Sequence, residues 1–570
     1  MKPSVQLWKA LSLFFVITLL LSACAAPAAP QSAPQTETST EASSAGETVV
    51  PSGVALPADA APEQVLRIST GSTGEASFTF YPMSGGSDSQ SWMPFLYVPP
   101  LYFDLNLELQ PGIFNTWKSN DDFTEWVFTI DDRAQWSDGT PITAAQVKST
   151  WEYMARPDSE HGRIAQYAGN IVGFQVIRDQ KSDVMDGLTV IDDLTLQVNL
   201  EKPDAIFHWR IATTHMNPLK LDGVTPENQQ EFWLPKNNPV FSGPYILDSY
   251  DPDQRTATLI PNPNWWMDEG PYLERIEFRF QPEPETIAAL IQNDEIDASL
   301  GAAPLFLKND FPDYFRPTKA FGFNSLWLAA TVEPTDDLNV RKALVLSVDG
   351  DAVFQAAYAE GNGTQAHQLL DPDLTCLESE KSWYPYDPEA ARQAIADSKY
   401  GSVENLPKIR VTPRGTSQVD ARAVEAVMEF WRQNLGLTNV EFQQAPDGFG
   451  DDAALINLSR DDIVTRFPDS ATYMWVGAHS AGPIARGDMM KGYKNEKIDA
   501  LIDEALSLAA DDPQRCELAL KAQRLFMDDY QFLFIGIGIP TLNARDYVVN
   551  YEKGPDVGVI APWRIYIRKH

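Results

Sequence analysis

Apolar and polar positions change period several times along the chain. Leu11 to Leu21 (LSLFFVITLLL) is a predominantly apolar core behind Lys2 and Lys9. It is too short to span a bilayer comfortably, which takes about 20 residues. After Cys24 the pattern dissolves: residues 24–62 hold too little apolar surface to offset the entropy of ordering, and predict a flexible tether. Trp126, Phe128 and Ile130 then alternate with Val127 and Thr129, a strand pattern. Asp138-Gly139 marks a tight turn. Thr143-Ala144-Ala145-Gln146 reads as a capping box opening a helix with Val147 and Trp151 on one face. Ile498, Leu501, Ile502, Ala505 and Leu506 lie at helical spacing. Asp512 and Pro513 fit an N-cap and first position of the next helix. Strands and helices alternate through most of the body, which predicts α/β lobes.

Of 570 residues, about 500 remain after the tether, enough for two or three structural units. No later apolar run approaches spanning length. The formal net charge of -35 argues against nucleic acid or an anionic lipid surface as a partner, because binding a polyanion needs a positive field.

Three cysteines carry separate information. Leu21-Ser22-Ala23-Cys24 resembles a bacterial lipobox, in which residues 1–23 are removed as a signal peptide and the Cys24 thiol takes the lipid. The other reading is an ordinary secretory signal with an incidental cysteine. Lipidation would place the body outside the cytoplasm, anchored at the outer face of a cell membrane. Cys376 and Cys516 are then an even pair in an oxidising compartment, either a disulfide or two separate buried thiols.

Catalytic signatures are sparse. The six histidines form no H-E-x-x-H, and there is no C-x-x-C and no phosphate loop, so no metal or cofactor is expected. Ala478-His479-Ser480-Ala481-Gly482 looks like a degenerate nucleophile elbow. The following Gly482, Pro483 and Gly487 are poor material for the helix that such an elbow needs. An extracellular hydrolase using scattered carboxylates and a chaperone-like scaffold stay open as other classes.

The stretch WVFTIDDRAQWSDGTPITAAQV, with Trp117, Asp121-Asp122 and Trp151, resembles the signature of the peptide/nickel-type (family 5) extracellular solute-binding proteins of ABC importers. Further pieces follow in family order. They are SGPYILDSYDPDQRTATLIPNPNWW (Ser242 to Trp266), the acidic Glu295-Ile296-Asp297, and the helix pattern of Asp337, Val340, Arg341, Ala343 and Leu344. YDPEAARQAIADSKY (Tyr386 to Tyr400) and KIDALIDEALSLAADDPQRCELALKAQRLF complete the series, which covers about residue 65 to 570.

The resemblance implies a two-lobe periplasmic-binding-protein clamshell (type II) with an extra inserted subdomain. Lobe I would comprise 63–97, 240–320 and 535–570, the inserted subdomain 98–239, and lobe II 321–534. Hinge strands would lie near Phe321 to Asn324 and Phe534 to Gly538. It also implies a monomer that closes on a small ligand, a di- or oligopeptide or alternatively an oligosaccharide, and hands it to ABC permease subunits without breaking a bond. Nickel-chelate capture gains nothing from the histidine distribution. Peptide-binding relatives pair the peptide α-amino group with an Asp in a D-P segment. The nearest equivalent is Asp469, followed here by Ser470 instead of Pro. Asp469 is therefore expected at the ligand, with Trp475, Trp327, Trp92 and Asn324 around the cleft.

Overall fold

The computed structural model describes residues 54–570 except 71–86, 160, 162–163, 226, 235–236, 238, 281–282, 301–306, 309, 318–323, 359–362, 371–373, 375, 377–382, 413–417, 443–454, 459–466, 487–492, 539–540 and 553–558. Cys24 lies outside the described residues.

The expected tether is too long at its C-terminal end. Residues 54–62 are part of the body: Ala61 N–H donates to the Ile567 carbonyl at 2.7 Å and Lys569 N–H to the Asp59 carbonyl at 2.9 Å. The Gln64 carboxamide completes the seam, accepting from Ile567 N–H at 2.8 Å and donating to the Ile567 carbonyl at 2.9 Å. Backbone pairing with the far end of the chain orders this stretch, which composition alone could not reveal.

Three sheets organise the body. The first has seven strands in the order Phe315–Pro317, Thr541–Ala544, Ala298–Leu300, Val65–Thr70, Arg275–Phe280, Thr256–Pro261, Tyr245–Asp251. Val65–Thr70 runs parallel to both of its neighbours, with Leu66 beside Ile276 and Ile68 beside Phe278. The second has six strands: Gly363–Thr364, Phe532–Gly538, Asn324–Leu328, Leu455–Leu458, Ile409–Thr412, Val440–Phe442. Strands Asn324–Leu328 and Phe532–Gly538 place apolar side chains on both faces, as a sheet covered by helices on each side requires. Trp327, Phe532 and Phe534 join the core under helices Ser470–Ala478, Glu496–Leu506 and Pro513–Met527. Leu326, Leu328, Leu533 and Ile535 join the opposite core.

A four-stranded antiparallel sheet is built from residues that lie in sequence between Val65–Thr70 and Tyr245–Asp251. Here Trp126, Phe128 and Ile130 point inward, as their alternation predicts. The capping box forms as read: Gln146 N–H reaches Thr143 Oγ1 at 3.4 Å, and Gln146 Oε1 accepts from Thr143 N–H at 3.1 Å. Val147 and Trp151 are fully buried. Farther on, Asp512 caps Pro513–Met527 by accepting from Gln514 N–H at 2.8 Å.

The chain crosses between the two large sheets after Pro317 and after Gly538. The expected division at 534/535 is corrected by this: Phe532–Gly538 pairs along its length with strands of the second sheet. Gly536 in that strand has φ +153°, and a Cβ there would lie 2.7 Å from the Tyr358 ring and 2.8 Å from the Phe354 ring. Ring packing as well as backbone conformation demands glycine.

Candidate ligand site and its buried frame

In open α/β sheets, ligands bind outside the carboxyl ends of the parallel strands. That face is set in the first sheet by the ends at Thr70, Phe280 and Leu300, and in the second by Thr412, Phe442 and Leu458. The loops that continue from these ends lie outside the described residues. What the structure describes is the frame holding them.

The motifs behind the family resemblance build that frame. Gly243 approaches the Leu96–Tyr97 backbone so closely that a Cβ would lie 2.3 Å from a carbonyl carbon. Asn262 Nδ2 donates to the Gly243 carbonyl at 2.8 Å, tying the Gly-Pro-Tyr strand to the Asn-x-x-Trp turn. Asp297 accepts from Arg67 Nε at 3.0 Å and Nη2 at 2.6 Å, and from Tyr547 Oη at 2.7 Å. Arg341 gives its guanidinium to the carbonyls of Thr335 and Asp529, both at 2.8 Å. These polar residues satisfy backbone and side-chain groups that would otherwise be stranded on burial.

Asp469 belongs to the same class, and its expected role at a ligand ammonium is corrected. It caps helix Ser470–Ala478, accepting from Thr472 N–H at 2.8 Å. Arg515 grips the carboxylate with two bonds, Nε to Oδ1 at 2.9 Å and Nη2 to Oδ2 at 2.8 Å, and both residues are only 3% exposed. Arg515 Nη1 is spent on the Ala505 and Leu508 carbonyls. Burial acts to raise the Asp469 pKa, but the Arg515 charge and hydrogen bonds outweigh it and hold the carboxyl below its ordinary value.

The tryptophans divide. Trp327 is fully buried, its ring edge-on to Phe532 at 4.3 Å, and Trp92 lies in the core beside the first sheet. Both are packing residues, so their expected place in the cleft wall is corrected. A large apolar ring inside a sheet layer gains more from burial than from an exposed wall. Trp475 is half-buried on Ser470–Ala478, 6.3 Å from the His479 ring. Asn324 opens its strand opposite Gly536, directly after one of the chain crossings.

Cys376 and Cys516 are joined as a disulfide, with Cα atoms 5.5 Å apart. Cys376 N–H also donates to Ser470 Oγ at 3.2 Å. The bridge therefore meets the Asp469–Arg515 pair at both of its ends, since Ser470 follows Asp469 and Cys516 follows Arg515.

The elbow-like segment is no nucleophile relay. Ser480 donates N–H and Oγ–H to Asp499, while His479 Nδ1 accepts from Ala481 N–H at 2.9 Å. His479 Nε2 faces Asp499 at 3.8 Å and Asp503 at 3.5 Å, so the imidazole does not serve the serine. Among the described residues no group of three His, Cys, Asp or Glu side chains could hold a metal ion. His208 stacks on Trp126 at 4.6 Å, and burial pushes its pKa down to about 3.

One arrangement had no sequence signal at all. Phe467, which follows strand Leu455–Leu458 of the second sheet in sequence, sits in the apolar cluster of the first and four-stranded sheets. Its ring lies 5.8 Å beneath the Arg210 guanidinium, which Asp204 Oδ2 anchors through Arg210 Nε at 2.6 Å.

Residues 108–483 match the family described as bacterial extracellular solute-binding proteins, family 5 Middle. The chain is 25% identical over 491 residues to the periplasmic oligopeptide-binding protein of Salmonella typhimurium, covering 83% of this chain and 88% of that one. It is 24% identical over 474 residues to heme-binding protein A of Haemophilus influenzae, covering 79% and 82%. Among solved structures, the Haemophilus influenzae oligopeptide-binding protein in complex with RPPGFSPFR superposes with a TM-score of 0.71 at 21% identity, covering 90% of this chain and all of that one. That likeness shows the type II periplasmic-binding-protein fold.

Proposed function

The chain belongs to the bacterial extracellular solute-binding proteins of family 5, and from that membership we propose that it captures a short peptide outside the cytoplasm and delivers it to an ABC permease. The observation carrying this reading is the pair of α/β sheets joined by two chain crossings, after Pro317 and after Gly538. Two lobes on two crossings can close about a ligand and expel its water. In this reading lobe I comprises 54–97, 240–317 and 541–570, the inserted subdomain 98–239, and lobe II 324–538.

Peptide is favoured over oligosaccharide for two reasons. Curated relatives matching most of the chain are named for peptide binding. Two of the three tryptophans expected around the cleft, Trp327 and Trp92, are core residues. Trp475 and Asn324 remain as residues of the cleft, and the peptide ammonium is met by a group other than Asp469. The protein acts by binding and turns nothing over. A lipid on Cys24 keeps it near its permease and raises its effective concentration there. No helix among the described residues is long and apolar enough to cross a membrane.

Native mass spectrometry of the purified chain, followed by calorimetry, tests the ligand class. Retained or titrated di- to pentapeptides support the reading. Heat with cello- or xylo-oligosaccharides, or with heme, and none with peptides would overturn it.

A further inference from the structure

Phe467 is 1% exposed, yet its surroundings belong to another part of the molecule. It follows a strand of the second sheet, and helix Ser470–Ala478 beginning three residues later packs on that sheet. The side chain itself lies in the apolar cluster built by the first sheet and the inserted four-stranded sheet. The receiving surface is held by contacts of its own. Arg210 is buried and anchored on Asp204, while Asp204 accepts from Ile206 N–H at 3.3 Å and its carbonyl takes Trp126 Nε1–H at 3.2 Å. The guanidinium is thereby held over the space that the Phe467 ring fills, in cation–π range.

On the presenting side, the Asp469–Arg515 pair and the Cys376–Cys516 bridge hold the start of Ser470–Ala478, and Asp469 N–H donates to the Phe467 carbonyl at 2.9 Å. A second meeting point reinforces the first. Ala510, in the turn between Glu496–Leu506 and Pro513–Met527, packs on the first cluster. Leu107, in the turn between Leu101–Phe103 and Leu109–Pro111, packs on a cluster of the second sheet.

We propose that Phe467 inserting beneath Arg210 is the latch of the closed form, with Leu107 and Ala510 as its second point, and that this pair sets ligand affinity through closure. The proposal rests on the two-lobe reading above. Separating the lobes strips Phe467 of its cover and leaves Arg210 with Asp204 alone. Arg210 and Phe467 are thus positioning residues: they fix the fraction of molecules in the binding-competent form, and apparent affinity scales with that fraction. A weakened latch consequently lowers affinity for every ligand by the same factor. A residue touching the ligand would instead discriminate among ligands.

The experiment uses the full chain and its Phe467→Ala and Arg210→Lys variants, with individual tri-, tetra- and pentapeptides as probes. Calorimetry, small-angle scattering and hydrogen exchange around residues 204–212 and Phe467 are the readouts. In the parent, peptide should raise protection at both segments together. Phe467→Ala should weaken every peptide by about tenfold or more and by a common factor, with a larger ligand-free radius of gyration. Arg210→Lys, which keeps the charge and a partner for Asp204, should shift the same readouts in the same direction by less. Equal protection with and without peptide would mean a permanent interface, and a weakening that differs among peptides would mean direct ligand contact. Either overturns the latch. If no peptide binds the parent, the ligand reading fails by itself. The ligand-free radius then decides the latch, expanded in Phe467→Ala if it holds and unchanged if it does not.

Discussion

Arg515 faces Asp469 across 46 positions of sequence with two nitrogen–oxygen contacts of 2.9 and 2.8 Å, both side chains buried and both fully engaged. Breaking one side of such a pair strands the other charge, which costs about 3–5 kcal/mol. Asp469→Asn should therefore lower unfolding stability by that order, measured by urea titration at pH 7. The window follows from the direction of the shift. The folded pKa is depressed, so the pair's contribution is complete above the unfolded value of about 3.9 and is lost as pH falls through the lower folded value. The gap between parent and variant should stay level from about pH 7 to pH 5 and shrink below about pH 4. A selective loss of peptide binding with stability unchanged would return Asp469 to the ligand.

His208 titrates in a different window. Burial against Trp126 lowers its pKa to about 3, far under the unfolded value of about 6.5. Stability associated with the neutral ring is present above about pH 6.5 and is lost on acidification toward the folded value, by at most about 1.4 kcal/mol per pH unit. His208→Gln should flatten the stability profile between about pH 4 and 6.5. NMR should find the parent imidazole still neutral at pH 5; a protonated ring at that pH would contradict the burial argument.

The Cys376–Cys516 bridge closes a loop with a sequence separation of 140 residues. Cross-links of this span contribute roughly 2–5 kcal/mol, chiefly by constraining the unfolded chain. Cys516→Ser should lower the thermal midpoint and make it insensitive to reductant, whereas the parent's midpoint should fall when reductant is added. Because Cys376 N–H donates to Ser470 Oγ, exchange protection at the start of Ser470–Ala478 should fall as well.

For the N-terminus, a lipid on Cys24 predicts that the parent remains with membranes in a detergent phase separation while Cys24→Ala moves to the aqueous phase. Equal partitioning of the two would remove the anchor.

Much of this architecture was legible because its signals are local. Thr143 and Gln146 satisfy each other within one helical turn, so the capping box is decided by four residues. Asp512 with Pro513 and the alternation of Trp126, Phe128 and Ile130 are likewise settled by neighbours, whatever the rest of the chain does. The ordered series of motifs pointed to the family because each motif ties down its own backbone, as Asn262 does for the Gly243 carbonyl.

What only the tertiary structure decided is which distant group each polar or aromatic side chain meets. Asp469 reads identically in sequence whether it faces a ligand ammonium or Arg515. Trp327 and Trp475 are the same residue type, one sealed in a sheet core and the other half-open on a helix. Residues 54–62 end a stretch whose composition as a whole predicts a tether, yet they are ordered by hydrogen bonds to residues near the opposite end of the chain. The physical reason is common to all three. Local conformation follows from sterics and hydrogen bonds within a few residues, whereas burial and charge pairing follow from contacts that exist only once the sheets have assembled.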